Sequence, residues 1–185
     1  MATASMAERM RRAQFLGEEF LTWLLVRSAQ NDSVFRLPDA RAVEVFYERA
    51  LTLQGQNPAR EMSTIRVDDP TDSEEVRLAL SLGKKVGRAR IKMVLDGREY
   101  EFILDSSLGL RSVRLPETPL PLDPFEGLAE KADLFRELED TLHDLFAEFL
   151  RLRLDADRWN AELDAITAWV RGTDYPMDQG PSLEA

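Results

Sequence analysis

Lys84, Arg88, Arg90 and Lys92 fall within nine residues of chain, with Lys85 beside the first of them and Arg98, Arg111 and Arg114 a little further on. On a strand, alternate residues share a face. A row of ammonium and guanidinium groups on one face is the arrangement that contacts a phosphate backbone. Those cations are also what an ordinary charged sheet face carries, balanced by Glu99, Glu101 and Asp105. A second set is acidic: Asp68, Asp69, Asp72, Glu74 and Glu75 crowd into eight residues. Such a density suits a two-metal phosphoryl-transfer site. It equally suits a solvated loop and the first turn of a helix, where carboxylates cap free N–H groups and complement the dipole, and this is the preferred reading. No phosphate-binding loop, dinucleotide fingerprint or nucleophile elbow is present. Gly83-Lys84-Lys85 follows a helix, the wrong order for a phosphate loop. The chain has no cysteine, which excludes disulfides, thiolate metal sites and thiol nucleophiles. Its one histidine, His143, makes no zinc site alone and belongs on a helix surface. No catalytic activity, metal or cofactor is expected.

The basic row is positioned by a β-hairpin. Two strand-like runs in Gly83–Asp105 flank Asp96-Gly97, and a two-residue type I′ turn needs φ > 0 at both positions, which Asp and Gly tolerate. The register follows from the turn. Leu95 faces Arg98, Met93 faces Tyr100, Ile91 faces Phe102 and Ala89 faces Leu104, on a core face. Val94 meets Glu99, Lys92 meets Glu101 and Arg88 meets Asp105 on a wet face. A slip of one residue would bury Lys92 and Glu101, so the pairing is well specified.

The rest of the 185 residues supplies a core, since 44% are hydrophobic. Residues 7–29 have the helical period, with Phe15, Leu16, Phe20, Trp23 and Leu24 apolar. Ser33–Leu37 predicts a short strand ended by Pro38. In Ala42–Leu53 the alternation of Val43, Val45 and Tyr47 halts at Glu48-Arg49 and resumes at Leu51 and Leu53, which predicts a second hairpin. Met62–Val67 is a strand. Thr71 with Glu74, or Asp72 with Glu75, has capping-box spacing for a helix carrying Val76, Leu78, Leu80 and Leu82 and stopped by Gly83 at C′. Leu110–Leu115 adds a strand with Val113 and Leu115 inward. Four prolines in Pro116–Pro124 exclude helix interior and central strand. Beyond them Leu128, Phe135, Leu142 and Phe149, with Leu138, Leu145 and Leu152, form a heptad seam having Lys131 as its polar member. Asp155 caps a last helix, 156–171, with Trp159, Leu163, Ile166 and Val170 on one face. The three tryptophans, Trp23, Trp159 and Trp169, have core spacing.

These elements predict an α+β fold: an antiparallel sheet with packed helices and a C-terminal helical hairpin. The expected divisions are an α+β domain at 1–115, a Pro-rich linker at 116–124, a helical hairpin at 125–171 and a frayed tail at 172–185. Charge divides likewise. Residues 1–115 hold 18 Lys+Arg against 17 Asp+Glu, whereas residues 116–185 hold 6 against 17, for a net −10. Such acidity argues against a strongly basic nucleic-acid binder, yet leaves room for a local basic face. No apolar run reaches the ~18–20 residues of a membrane span, and the start MATASMAERMRR lacks the apolar stretch of a secretory signal. A cytoplasmic protein with no membrane contact and no small-molecule substrate is expected.

Several segments, in order, resemble the recombination-associated RdgC family. They are LTWLLVRS (Leu21–Ser28), FRLPDARAVEV (Phe35–Val45), SEEVRLALSLGKKVGRARIKM (Ser73–Met93), LGLRSVRLPE (Leu108–Glu117) and the acidic helical end. The resemblance is to the C-terminal half or more of that family; the long region that precedes the Leu-Thr-x-Trp segment in its full-length members, and contributes to ring closure, has no counterpart here. It implies a dimer that binds DNA with little sequence preference and restrains RecA-driven strand exchange, and it supports Lys84, Lys85, Arg90 and Arg114 as contacts. The first expectation is therefore a non-catalytic, sequence-tolerant DNA-binding protein linked to recombination and the nucleoid. Lys84, Lys85, Arg88, Arg90, Lys92 and Arg114 would touch phosphates, and the seam would form a homodimer. The second is a protein-interaction or assembly module of the same fold that does not bind DNA, motivated by the acidic arm. A third, a metal-dependent nuclease using Asp68, Asp69 and Asp72, ranks last.

Overall fold

Asp96 and Gly97 turn the chain with φ of 50° and 75°, the left-handed pair that a type I′ turn requires. Around this turn a computed structural model gives the whole fold, describing residues 6–55, 62–117 and 124–172, with the side chains of residues 6–15 and of Pro124 excepted. The long stretch 118–123 of the proline segment and the tail beyond residue 172 therefore lie outside the described residues. The elements run α1 (Met6–Gln30), β1 (Val34–Arg36), β2 (Ala42–Gln54), β3 (Met62–Arg66), α2 (Glu74–Ser81), β4 (Lys85–Leu95), β5 (Arg98–Asp105), β6 (Leu110–Arg114), α3 (Pro124–Leu154) and α4 (Ala156–Val170). The fold is α+β: one antiparallel sheet flanked by packed helices, with α3 and α4 as a C-terminal pair.

The sheet order is β1-β2-β4-β5-β6, and β3 also pairs with β2. The β4–β5 register is the one predicted, from Leu95↔Arg98 to Arg88↔Asp105. Ala42–Leu53 is not a hairpin. It is part of a single 13-residue strand, pairing β1 through its first half, β3 through its second half and β4 throughout. The break in alternation is a bulge: Glu48 faces Arg90 and Leu51 faces Ala89, so Arg49 and Ala50 are extra. Glu48-Arg49-Ala50 offers no residue that favours φ > 0, so the chain bulges where it cannot turn. The two inserted residues leave Val43, Val45, Tyr47, Leu51 and Leu53 all on the buried face. A second irregularity, on β4, leaves Gly87 unpaired between Val86 and Arg88. A Cβ there would sit 2.4 Å from the Gln54 side chain.

The helices close the other side of the core. In its second half α1 is apolar on nearly every face, Phe20, Leu21, Trp23, Leu24, Leu25 and Val26 being buried. The reason is that it lies between the sheet and the C-terminal helices. Toward the sheet, the Thr22 hydroxyl accepts from Val86 N (3.0 Å) and the Tyr47 hydroxyl donates to the Leu21 carbonyl (2.7 Å). Burial pushes the Tyr47 pKa well up. Toward α3 and α4, Phe20 and Trp23 meet Phe146, Phe149 and Trp159 in one aromatic cluster. Buried Glu162 of α4 accepts from Trp23 Nε1 (3.2 Å) and forms a two-point ion pair with Arg27. Glu137 of α3 accepts from Arg98 (2.6 Å) and from the Tyr100 hydroxyl, fastening the long helix to the hairpin. Burial first, and the Glu137 carboxylate second, raise the Tyr100 pKa.

The caps and seams refine the expectations. Ser73, not Thr71 or Asp72, caps α2, its Oγ accepting from Val76 N. Thr71 instead belongs to a turn closed on Asp69. Gly83, at φ 82°, ends the helix with bonds from Gly83 N to Leu80 O and from Lys84 N to Ala79 O, a Schellman arrangement. Of the four apolar residues assigned to α2, Val76 and Leu80 are buried while Leu78 and Leu82 are exposed. Asp155 caps α4 as expected, accepting from Arg158 N. On α3 the buried stripe is Leu134, Leu138, Thr141, Leu145, Phe149 and Leu152. Leu128 is exposed, and Phe135 and Leu142 are half-buried. Leu138, Leu145 and Leu152, the other seven-residue series, are buried throughout. Strand residues and residues of all four helices share one apolar core.

Candidate nucleic-acid interface

The helix-facing residues of the sheet are buried, and among the described residues the alternate set forms an open face. Glu44, Phe46, Glu48 and Thr52 of β2, Arg88, Arg90, Lys92 and Val94 of β4, and Glu99, Glu101 and Ile103 of β5 are all exposed or half-buried. Cross-strand pairing sets them in rows: Phe46, Lys92, Glu101 and Arg114 in one, Glu48, Arg90 and Ile103 in the next, then Thr64, Thr52 and Arg88. Arg66, opposite Ala50, extends this face on β3.

The six candidate cations do not act as one set. Lys92 donates to Glu99 (3.0 Å), a diagonal partner, and lies over the Phe46 ring at 5.9 Å. The Glu99 hydrogen bond and the nearby Glu48 and Glu101 hold its pKa above the usual lysine value. Arg114 pairs with Glu101 (3.2 Å). Lys85 is drawn to Glu19 of α1 (3.1 Å), a carboxylate that also binds Arg153 of α3. Lys84 donates to Ser63 Oγ on β3 (2.6 Å). Arg88 and Arg90 are different: among the described residues neither has an ion-pair partner, although Asp105 and Glu48 stand opposite them. Arg66, missed in the sequence because its short strand carries no alternating basic pattern, is likewise unpaired among the described residues and exposed. Among the described residues the cations of the open face without an ion-pair partner thus include Arg66, Arg88 and Arg90 on β3 and β4, and Arg36 on β1 opposite Ala42.

Asp105 does not face Arg88 as an ion-pair partner because the β5–β6 connection claims it. It accepts from Ser107 N (3.0 Å), Gly109 N (3.2 Å) and Arg111 Nε (3.2 Å), and from the Ser107 hydroxyl. Burial pushes its carboxyl pKa up, but these donors outweigh burial and hold it below the ordinary 3.8. A depressed carboxyl stabilises the fold above its unfolded pKa and loses that contribution as pH falls through the folded value. Asp105→Asn should therefore cost about 1–3 kcal/mol at pH 7, shrinking at pH 3. Urea unfolding at both pH values checks this; an equal loss at the two would count against it.

Two of the acidic residues at 68–75 are engaged locally. Asp69 closes the turn onto Thr71, and Asp72 pairs with Arg77 (3.3 Å). Among the described residues no three His, Asp or Glu side chains are grouped so as to hold a metal ion. Trp23 and Trp159 are buried in the core, Trp169 lies half-buried beneath Arg77, and His143 is exposed. No described helix is long and apolar enough to cross a membrane.

Compared with known protein families and with curated proteins, the chain has no match.

Proposed function

We propose that this protein binds the phosphate backbone of DNA through the open sheet face, without catalysis and with little sequence preference, as a recombination-associated protein of RdgC type. The observation that supports this reading is the trio Arg66, Arg88 and Arg90, unpaired among the described residues on a face that no described helix covers. A guanidinium already neutralised by a carboxylate gains little from a phosphate, so an uncommitted one is the better contact. Phe46, Val94 and Ile103 lie half-buried on the same face and offer apolar contact that does not discriminate bases. The segment resemblance given above points the same way. No helix of the described residues stands free on this face to enter a groove, so contacts fall on phosphates rather than base edges.

The test is a fluorescence-anisotropy titration of labelled duplex and single-stranded oligonucleotides at several salt concentrations. The doubly substituted Arg88→Ala, Arg90→Ala protein should bind more weakly. Its log–log salt slope on duplex should be shallower by about 0.9 for each lost contact. Lys85→Ala, whose ammonium is paired with Glu19, should leave the slope unchanged. Wild-type protein that binds neither form at 50 mM salt would remove the DNA reading, and the assembly-module reading would replace it.

A further inference from the structure

The bulge in β2 does more than preserve alternation. It opens a cleft of about 640 Å³ at the β2–β3 edge, lined by Arg49, Ala50, Arg66, Val67 and Asp68. The two arginines reach it by different routes. Arg49 is one of the two inserted residues, and its carbonyl accepts from Val67 N at 3.2 Å, which ties the bulge to the end of β3. Arg66 stands opposite Ala50, the other inserted residue. Both side chains are exposed, and among the described residues neither guanidinium has an ion-pair partner, although Asp68 lines the same cleft. Two guanidinium charges line the cleft against one carboxylate, Asp68, so it keeps a net positive charge that a bound anion relieves. A tetrahedral oxyanion with two or more oxygens satisfies two guanidinium forks at once.

We infer that this cleft is a phosphate-binding notch, formed by Arg49 and Arg66. Its occupant, resting on the DNA reading above, is a single backbone phosphate of a strand that continues across Arg88 and Arg90. The geometry suits that path. β3, β2 and β4 are consecutive in the sheet, so Arg66 lies two strand spacings, roughly 10 Å, from the β4 arginines. The notch anchors one end of the strand, and the open face carries the rest. Nothing in this arrangement reads a base.

The test has two arms on the whole 185-residue chain. In the first, inorganic pyrophosphate is titrated into ¹⁵N-labelled protein. Amide shifts should concentrate at residues 48–51 and 65–68 and vanish in Arg49→Gln and in Arg66→Gln. In the second, the same variants are titrated with labelled oligonucleotide. Each should weaken binding several-fold and reduce the duplex salt slope by about 0.9. Arg136→Gln, exposed on α3 and paired with Asp133, should do neither. Oligonucleotide binding that is indifferent to both notch variants, with pyrophosphate shifts absent or spread evenly over Arg36 and Arg88, overturns the notch and leaves the DNA reading intact. Localised pyrophosphate shifts in a protein that binds no oligonucleotide uphold the notch and overturn the DNA reading instead. All three substituted side chains are exposed, and retention of the wild-type amide spectrum elsewhere establishes that the fold is kept.

Discussion

Phe149→Ala should lower the free energy of unfolding by about 3–5 kcal/mol, the range for removing a buried aromatic ring. The ring is fully buried. It lies 5.6 Å from Phe20, 5.7 Å from Trp23, 5.9 Å from Phe146 and 5.7 Å from Trp159, between centroids. These neighbours come from α1, α3 and α4, so the cavity opens where three helices meet, and none can collapse into it without leaving its other contacts. Aromatic pairs in tilted or edge geometry each add about 0.5–1.5 kcal/mol beyond area burial. Phe149→Leu should therefore recover only part of the loss. Phe46→Ala, on the half-buried open face, serves as the comparison and should cost far less. Urea unfolding followed by tryptophan fluorescence measures all three. A loss under about 1 kcal/mol for Phe149→Ala would mean that α3 is not part of the cooperative core.

Gly17→Ala should cost about 3 kcal/mol, against the usual sign. In a helix interior, Gly to Ala normally stabilises by roughly 1 kcal/mol. Here a Cβ at position 17 would lie 2.0 Å from the Ser106 carbonyl oxygen and 2.7 Å from its carbon. Both are backbone atoms, so no rotamer change relieves the clash. Either α1 lifts from the sheet, or the connection after β5 moves. Lifting α1 would strain the Thr22–Val86 and Tyr47–Leu21 hydrogen bonds. Moving the connection would disturb Asp105 and the Ser106 N to Gly87 O bond of 2.9 Å. Overpacking of this kind costs about 1–3 kcal/mol and sometimes more. Thermal unfolding reads the effect, and an unchanged or raised melting temperature would show that the helix does not press on this connection.

Local chemistry determined much of this protein from the sequence alone. Asp96-Gly97 dictates a left-handed turn, a two-residue turn dictates the register, and the register puts Arg88, Arg90 and Lys92 on one face. Asp155 before an apolar helical run and Gly83 after one are capping signals that depend only on neighbours a few residues away, and both read correctly. The antiparallel α+β class follows from these pieces.

What the sequence could not carry depends on distant partners. A bulge and a turn interrupt alternation in the same way, and only pairing with β1, β3 and β4 together shows that β2 continues through Arg49 and Ala50. The heptad series on α3 looked like a seam because seven is close to two helical turns. Which residues lie inward is decided by where α1 and the sheet stand. Gly17 has no signal at all, since its need for a bare backbone arises from Ser106, some ninety residues away. The same holds for function. Six cations look alike in a string of letters, but Glu19, Ser63, Glu99 and Glu101 engage four of them, and those partners come from other elements. Among the described residues the tertiary structure leaves Arg88 and Arg90 without an ion-pair partner and adds Arg66 and Arg49 to them. A charge is free for a ligand only when no neighbour already satisfies it, and neighbours are set by the fold.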